Sequence, residues 1–377
     1  MPQIVHIIAG LNVGGAEIAM YRLISQHSTS RYTYTVISLT TGGSIADKLK
    51  KKHIDVIVFD FKKNPVKQFF KLFYYLRKSN PDVVSTWMYH ANIIGGLAAY
   101  LAGVKKIIWG LRTTDVKTGS NYLTKVIRAI GSGLSYVIPN IIICPANSIT
   151  DSHAKIGYSK NKFIVIHNGF DSEKIKFNEN KRKIFREIYD IGPDKIIIGS
   201  LGRYSEAKDQ NNFISAAANI SRKQSNVVFL MVGNNLTKDN LELCGFANEL
   251  NVSDKLILHG ECADVSMCLS AMDIYCLHSR REGFPNALCE AMLVGLPCIA
   301  TDVGDAKVLL DSLGVIVPKE DSDALTYGLD SLLLWDDAKK KRHGQQARRR
   351  ICEKYSLAKA CERYEKIYSD LLMDSKP

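Results

Sequence analysis

The sequence predicts an α/β protein of two doubly wound domains. Short β-branched runs alternate with helical stretches, the alternation occurs as two separate series, and a turn dipeptide followed by a polar, lysine-rich stretch divides them. Length agrees. At 377 residues the chain exceeds one ordinary core, since a domain takes roughly 150 residues. With 46% hydrophobic and 23% charged residues it has the apolar material for packed cores and is unlike a disordered chain.

In chain order, the first series of strands is predicted at 4–9, 33–39, 55–59, 82–86, 106–109 and 140–144. The second is predicted at 195–201, 226–232, 255–259, 273–277, 297–301 and 315–317. Parallel sheets covered on both faces by helices follow from this rhythm, with ligands outside the carboxyl ends of the strands. The boundary falls at FIVIHNGFD, 163–171, where a β-branched run stops at Asn168-Gly169. Domains are therefore expected at 1–168 and 169–355, followed by a helical tail at 356–377 that can pack back on the first. The uncharged tract 129–150 is broken by Pro139, Asn140 and Pro145, so it reads as a helix end and a buried strand rather than a membrane span. The start of the chain lacks the basic region of a signal peptide. Nine cysteines without a C-x-x-C pair read as small core hydrophobes of a reducing compartment.

Three loops carry residues suited to chemistry. After the first strand, Gly14 and Gly15 precede a helix, where backbone can approach a phosphate closely; a plain strand-to-helix turn accounts for them equally well. After the strand at 195–201 come Arg203 and Lys208, a rigid fork and a point charge that together could neutralise a diphosphate or simply be solvated. After the strand at 273–277, Glu282 precedes a helix opened by Pro285, and Glu290 lies about one turn inside it. Carboxylates accept hydrogen bonds from sugar hydroxyls, and the amides of a helix start favour phosphate. Helix capping by Glu282 and plain exposure of Glu290 are the alternatives. His90 and Arg112 also follow strands: His90 could serve as a base or acceptor ligand or equally be a capping or core-edge histidine, and Arg112 could reach the same site.

The string EGFPNALCEAM with GLPCIATDVG resembles the E-x7-E signature of retaining glycosyltransferases of family 4 (group 1), which have the GT-B fold. The GGAE, HNGFD, GRYSEAKD and LHGECADV segments match in order, and the resemblance spans 4–372. It implies that Arg203 and Lys208 hold the donor diphosphate, Glu290 the ribose and Glu282 the transferring sugar. The amides of Gly283, Phe284, Pro285's successor Asn286, Ala287 and Leu288 complete a donor site that also takes Pro285, with Gly14 and Gly15 approaching from the other domain across a cleft. Arg203, Lys208, Glu282 and His90 are the catalytic candidates, with no metal and no cofactor besides the nucleotide-sugar co-substrate. One departure is Val308, where the family commonly has Glu.

Charge is uneven. Residues 1–168 hold 21 Lys or Arg against 7 Asp or Glu, and the rest hold 29 against 31. Around Phe69, Phe70, Phe73, Tyr74 and Tyr75 cluster Lys50, Lys51, Lys52, Lys62, Lys63, Lys67, Lys71, Arg77 and Lys78, a pattern suited to an anionic leaflet unless many of the aromatics face the core. The expectation is a cytoplasmic glycosyltransferase, peripheral on the inner face of the membrane. It would move a sugar from a nucleotide diphosphate donor, most naturally UDP, to a glycan or lipid diphosphate-linked acceptor in cell-surface polysaccharide biosynthesis. The rivals are a GT-B-like epimerase or phosphorylase and a basic nucleic-acid-binding protein, the last disfavoured because no nucleic-acid module is recognisable.

Overall fold

The structure, a computed structural model, describes residues 1–12, 14–27, 31–114 and 122–373; Val13 of the glycine loop and Asp374 of the tail lie outside these. Two compact units divide the chain, one comprising Met1–Gly169 and the residues from Leu357 onward, the other Phe170–Ser356.

Unit 1 contains the strands β1 (Gln3–Ile8), β2 (Thr33–Ser38), β3 (Asp55–Val58), β4 (Val83–Trp87), β5 (Ile107–Gly110), β6 (Ile141–Cys144) and β7 (Phe163–Val165). All pair in parallel, in the order β3-β2-β1-β4-β5-β6-β7. Its connecting helices are α1 (Gly15–His27), α2 (Gly43–Lys50), α3 (Pro65–Ser79), α4 (Met88–Leu101), α5 (Tyr122–Leu134) and α6 (Asn147–Lys155). Helices cover both faces of the central strands: Val83 to Trp87 of β4 are all buried, Ser85 and Thr86 included. Helix α3 starts where Asn64 accepts a bond from Lys67 N at 3.0 Å and Pro65 supplies a preset φ, and it stops at Asn80 in the left-handed region, φ 42°. The tract 129–150 resolves into the end of α5, strand β6 and the start of α6. Strand β7 arises from the run read only as a boundary; pairing with β6 recruits it into the sheet.

Unit 2 contains β8 (Ile196–Leu201), β9 (Val227–Val232), β10 (Leu256–Gly260), β11 (Ile274–Leu277), β12 (Cys298–Thr301) and β13 (Val315–Val317), parallel in the order β10-β9-β8-β11-β12-β13. Its helices are α7 (Glu179–Ile188), α8 (Gln210–Ser221), α9 (Leu241–Glu249), α10 (Val265–Ala271), α11 (Asn286–Val294), α12 (Ala306–Leu310), α13 (Ser322–Leu333) and α14 (Asp337–Lys354). Ile198, Phe213, Phe229, Ile274, Ile299 and Leu329 form its core. Asp273, just before β11, accepts from Arg182 at 2.7 Å, Arg186 at 3.0 Å and Ile197 N at 2.8 Å, which ties α7 to the sheet. Strand order reverses between β8 and β11, so the loops that follow these two strands flank the crevice in which such sheets take ligands.

After α14 the chain returns to unit 1 as α15 (Leu357–Met373). Tyr364, Tyr368 and Leu371 from this helix join Ile4, Met20 and Val36 in the unit 1 core. Gly169 sits where a Cβ would overlap the Leu357 backbone and Ala360, so glycine there permits the close approach of the returning helix. All nine cysteines are free thiols; six are buried, while Cys244, Cys262 and Cys352 are partly exposed. Among the described residues no helix is long and apolar enough to cross a membrane.

Candidate active site

The loops after β8 and β11 are cross-linked by backbone and side chain. Arg280 N and Arg281 N both donate to Ala207 O, at 2.9 and 3.2 Å, and Arg280 pairs with the buried Asp209 carboxylate at 2.9 Å. His278, at the end of β11, places Nδ1 2.7 Å from Lys208 O and 3.1 Å from Asp209 O. Two carbonyls can only accept, so Nδ1 carries the proton. These contacts fix the backbone of Lys208 and Asp209, the latter in the left-handed region at φ 55°.

Lys208 Nζ meets Glu282 Oε1 at 2.5 Å, and Ser279 Oγ donates to the same oxygen at 2.7 Å. Both side chains are largely buried, 23% exposed for Lys208 and 11% for Glu282. A charge pair so shielded keeps much of its strength, and the short bond sets the positions of both groups. Arg203 lies on the same loop with an exposed side chain. Its carbonyl accepts from Gln210 Nε2 at 3.0 Å, which anchors the loop to the start of α8.

Glu282 is followed by Gly283 and by Phe284, which is buried against Phe170 (ring centroids 6.3 Å apart, stacked) and Tyr355 (5.8 Å). This aromatic wedge stops the loop and begins α11. Pro285 was expected within the first helical turn; with φ −76° and ψ 87° it is instead the residue before the helix, which begins at Asn286. The extended ψ turns the chain so that α11 starts beside the β11 loop. Ala287 and Leu288 follow in the first turn, and half-buried Glu290 comes next on the helix. The positive end of the helix dipole is thereby directed to the Glu282 side of the crevice. Gly304, after β12, has φ +54°, and a Cβ there would overlap the carbonyl oxygens of Glu282 and Gly283. Asp305 N completes the brace by donating to Gly283 O at 3.2 Å. Val308, the departure in this region, is 55% exposed on α12.

In unit 1, Gly14 O accepts from Ile18 N at 2.9 Å, which opens α1, and Gly15 is its first residue. The Glu17 carboxylate lies so close that a Cβ at Gly14 would overlap it. Glycine here therefore accommodates a first-turn acid at the helix start. His90 is exposed in the first turn of α4, two residues after Met88, whose φ of +71° marks a strained strand-to-helix turn. Arg112 has structural partners: Nη1 donates to Asn168 at 2.8 Å, Nη2 to Tyr364 Oη at 2.6 Å, and the guanidinium stacks 4.2 Å over Trp87. It braces the return of α15.

Reading the sequence singled out Lys208 and Glu282 but not Ser279, His278, Asp209 or Gly304, which position them. The signal for the first two was their place immediately after a strand in the second series; nothing local marks Asp209 or Gly304.

Burial lowers the His278 pKa from its ordinary 6.5 to about 4, with the Lys208 charge acting the same way and the two carbonyl bonds opposing it. Between these values the unfolded chain holds a proton that the folded chain does not, so stability is highest above pH 6.5 and declines as pH falls. The loss should reach about 2 kcal/mol by about pH 5. Urea midpoints at pH 7 and pH 5 check this: His278→Gln should show a smaller drop than the wild type.

A family model described as glycosyl transferases group 1 matches residues 181–350, and one described as glycosyltransferase family 4 matches residues 13–174. The Escherichia coli UDP-Gal:alpha-D-GlcNAc-diphosphoundecaprenol alpha-1,3-galactosyltransferase is 24% identical over 314 residues, 82% of this chain and 80% of that one. The Staphylococcus aureus capsular polysaccharide biosynthesis glycosyltransferase CapM is 24% identical over 321 residues, 82% of each chain. Among solved structures, Anabaena HepE in complex with UDP and glucose superposes with a TM-score of 0.87 at 19% identity, covering 98% of this chain and 100% of that one. The fold is thus GT-B, with two Rossmann-like units. With the two family models matching residues 13–174 and 181–350 in succession, the chain belongs to the group 1, family 4 glycosyltransferases.

Proposed function

We propose that this glycosyltransferase transfers a hexose or N-acetylhexosamine from a UDP-sugar to a glycan or lipid diphosphate-linked acceptor in cell-surface polysaccharide biosynthesis, with retention of configuration and without a metal ion. The observation that carries the reading is the pairing of Lys208 with Glu282 at the switch point of unit 2, beside the N-terminus of α11. Relatives named for UDP-galactose transfer to a diphosphoundecaprenol-linked sugar and for capsule synthesis support the donor and acceptor classes.

As the anomeric bond breaks, negative charge grows on the leaving diphosphate. Arg203, Lys208 and the first-turn amides of α11 stabilise that charge more strongly than they stabilise the bound donor, which lowers the barrier. Fixed cations and amides supply the neutralisation that a divalent ion would otherwise provide. Glu282, held by Lys208 and Ser279, orients the sugar, and Glu290 accepts bonds from the ribose hydroxyls. The acceptor hydroxyl attacks from the face the diphosphate leaves, and a departing phosphate oxygen takes its proton. No protein nucleophile is then required. Proton NMR of the first product should show the donor's anomeric configuration, and EDTA should leave the rate unchanged. An inverted product, loss of activity in EDTA or a trapped glycosyl-Glu282 adduct would contradict this mechanism.

The same reading places the enzyme at the cytoplasmic membrane surface through unit 1. Val66, Phe70 and Tyr74 form an exposed stripe on α3, 66%, 53% and 64% accessible, at four-residue spacing. Lys63, Lys67, Lys71 and Lys78 flank it, and Leu72 and Leu76 anchor the opposite face in the core. Sedimentation with anionic vesicles should weaken about fivefold for each of Lys67 and Lys71 replaced by alanine, from about 1 kcal/mol per cation. Equal binding to neutral vesicles would remove the electrostatic part of the proposal.

A further inference from the structure

Around the β10–α10 junction, unit 2 carries a cluster to which the proposed transfer mechanism gives no role. His259 lies in β10, Cys262 in the loop that follows, and Cys268 in α10. One ring nitrogen and the two sulfurs lie within 4.8 Å of one another, with His259 and Cys262 partly exposed and Cys268 buried. We propose that these three side chains form a binding site for a thiophilic divalent cation of the zinc type, with water as the fourth ligand.

The donor set fits that class. Two thiolates and an imidazole are a common soft ligand set for zinc, and hard cations such as magnesium prefer oxygen. Tetrahedral coordination at about 2.0–2.3 Å puts ligand atoms about 3.3–3.8 Å apart, so separations bounded by 4.8 Å need only side-chain adjustment to close on an ion. Its members are held from outside. Tyr189 Oη is 2.7 Å from His259 Nδ1, and Phe185 packs on the ring at 5.3 Å, an outer shell of the kind that orients metal-bound histidines. Cys262 Sγ lies 3.1 Å from Asp264 O, the cap residue of α10, whose side chain accepts from Met267 N at 3.3 Å. Cys268 is fixed within the helix.

Bound metal would clamp the loop 260–264 between strand and helix. That loop is bonded to its neighbour: Gly233 N donates to Gly260 O at 2.7 Å, and Asn234 Nδ2 to Glu261 Oε1 at 2.9 Å. Gly233, φ +148°, in turn lies where a Cβ would overlap the carbonyl of Gly202, beside Arg203. The clamp would thus stabilise unit 2 next to the donor loop. It is separate from the transfer chemistry and does not depend on the donor assignment.

The test is titration of the reduced full chain with Co²⁺ under nitrogen. One equivalent should produce the near-ultraviolet thiolate-to-cobalt band, Zn²⁺ should bleach it, and Zn²⁺ should raise the Tm. Cys262→Ser, at a partly exposed loop position, should lose both the band and the Tm shift while its metal-free Tm stays near wild type. Cys244→Ser, remote from the cluster in sequence, should keep both. Absence of the band in folded wild type, its retention in Cys262→Ser, or a Cys262–Cys268 disulfide persisting under reductant would overturn the site.

Discussion

Replacing Lys208 with alanine is expected to lower kcat by about 10²–10³-fold, with a much smaller change in KM. The loss follows from where Lys208 stands: its ammonium is shielded, held 2.5 Å from Glu282 and fixed at the backbone by His278. On the proposed mechanism, a cation so placed does most of its work when the leaving diphosphate gains charge, which is a transition-state contribution and appears in kcat. Glu282→Gln should also impair turnover, and the Lys208→Ala, Glu282→Gln double variant should lose far less than the product of the single losses, because each group positions the other. Single-turnover measurement of UDP release separates this from slow product departure. Additive losses, or a pure KM effect for Lys208→Ala, would show that the pair does not act as a unit.

Gly304→Ala should be strongly damaging to the site. Its backbone lies at φ +54°, where a side chain is strained, and the added carbon would meet the carbonyls of Glu282 and Gly283. Strain and overpacking together should cost on the order of 3 kcal/mol, and any folded protein should transfer sugar poorly because relief of the clash displaces Glu282. Gly295→Ala is the control. It also has positive φ, +87°, at the C-terminus of α11, but the nearest atom to its Cβ is Gly344 O at 3.6 Å. It should cost about 1 kcal/mol and leave kcat unchanged. Urea unfolding paired with rate measurements distinguishes the two outcomes.

The fold was legible because parallel strands buried on both faces have a strong local signature. Runs such as IIIGSL and VVFLMV need no tertiary context to be recognised, and the predicted strands fall within about one residue of those observed. Strand β7 is only three residues long, and its neighbours read as a turn, so it becomes visible only through its pairing with β6. The site was legible in part. Glycine loops and charges after strands are local features, so Arg203, Lys208 and Glu282 could be singled out. That Lys208 reaches Glu282, 74 residues away, depends on β8 and β11 being neighbours in the sheet, which no local pattern states. Roles that depend on such adjacency, those of Ser279, His278 and Gly304, were not readable for the same reason. Arg112 shows the converse: its place after a strand is shared with the donor-site candidates Arg203 and Lys208, yet Asn168, Tyr364 and Trp87 occupy it.

The most direct test of the central claim, that unit 2 holds a nucleotide-sugar donor through these loops, is equilibrium binding of UDP-, GDP- and ADP-sugars to the wild type and to Glu290→Ala. The account predicts selective binding of a UDP-sugar, weakened about 10–100-fold by the loss of the carboxylate that accepts the ribose hydroxyls. Folded wild type that binds no UDP-sugar, or a Glu290→Ala variant that binds it as tightly as the wild type, would contradict it.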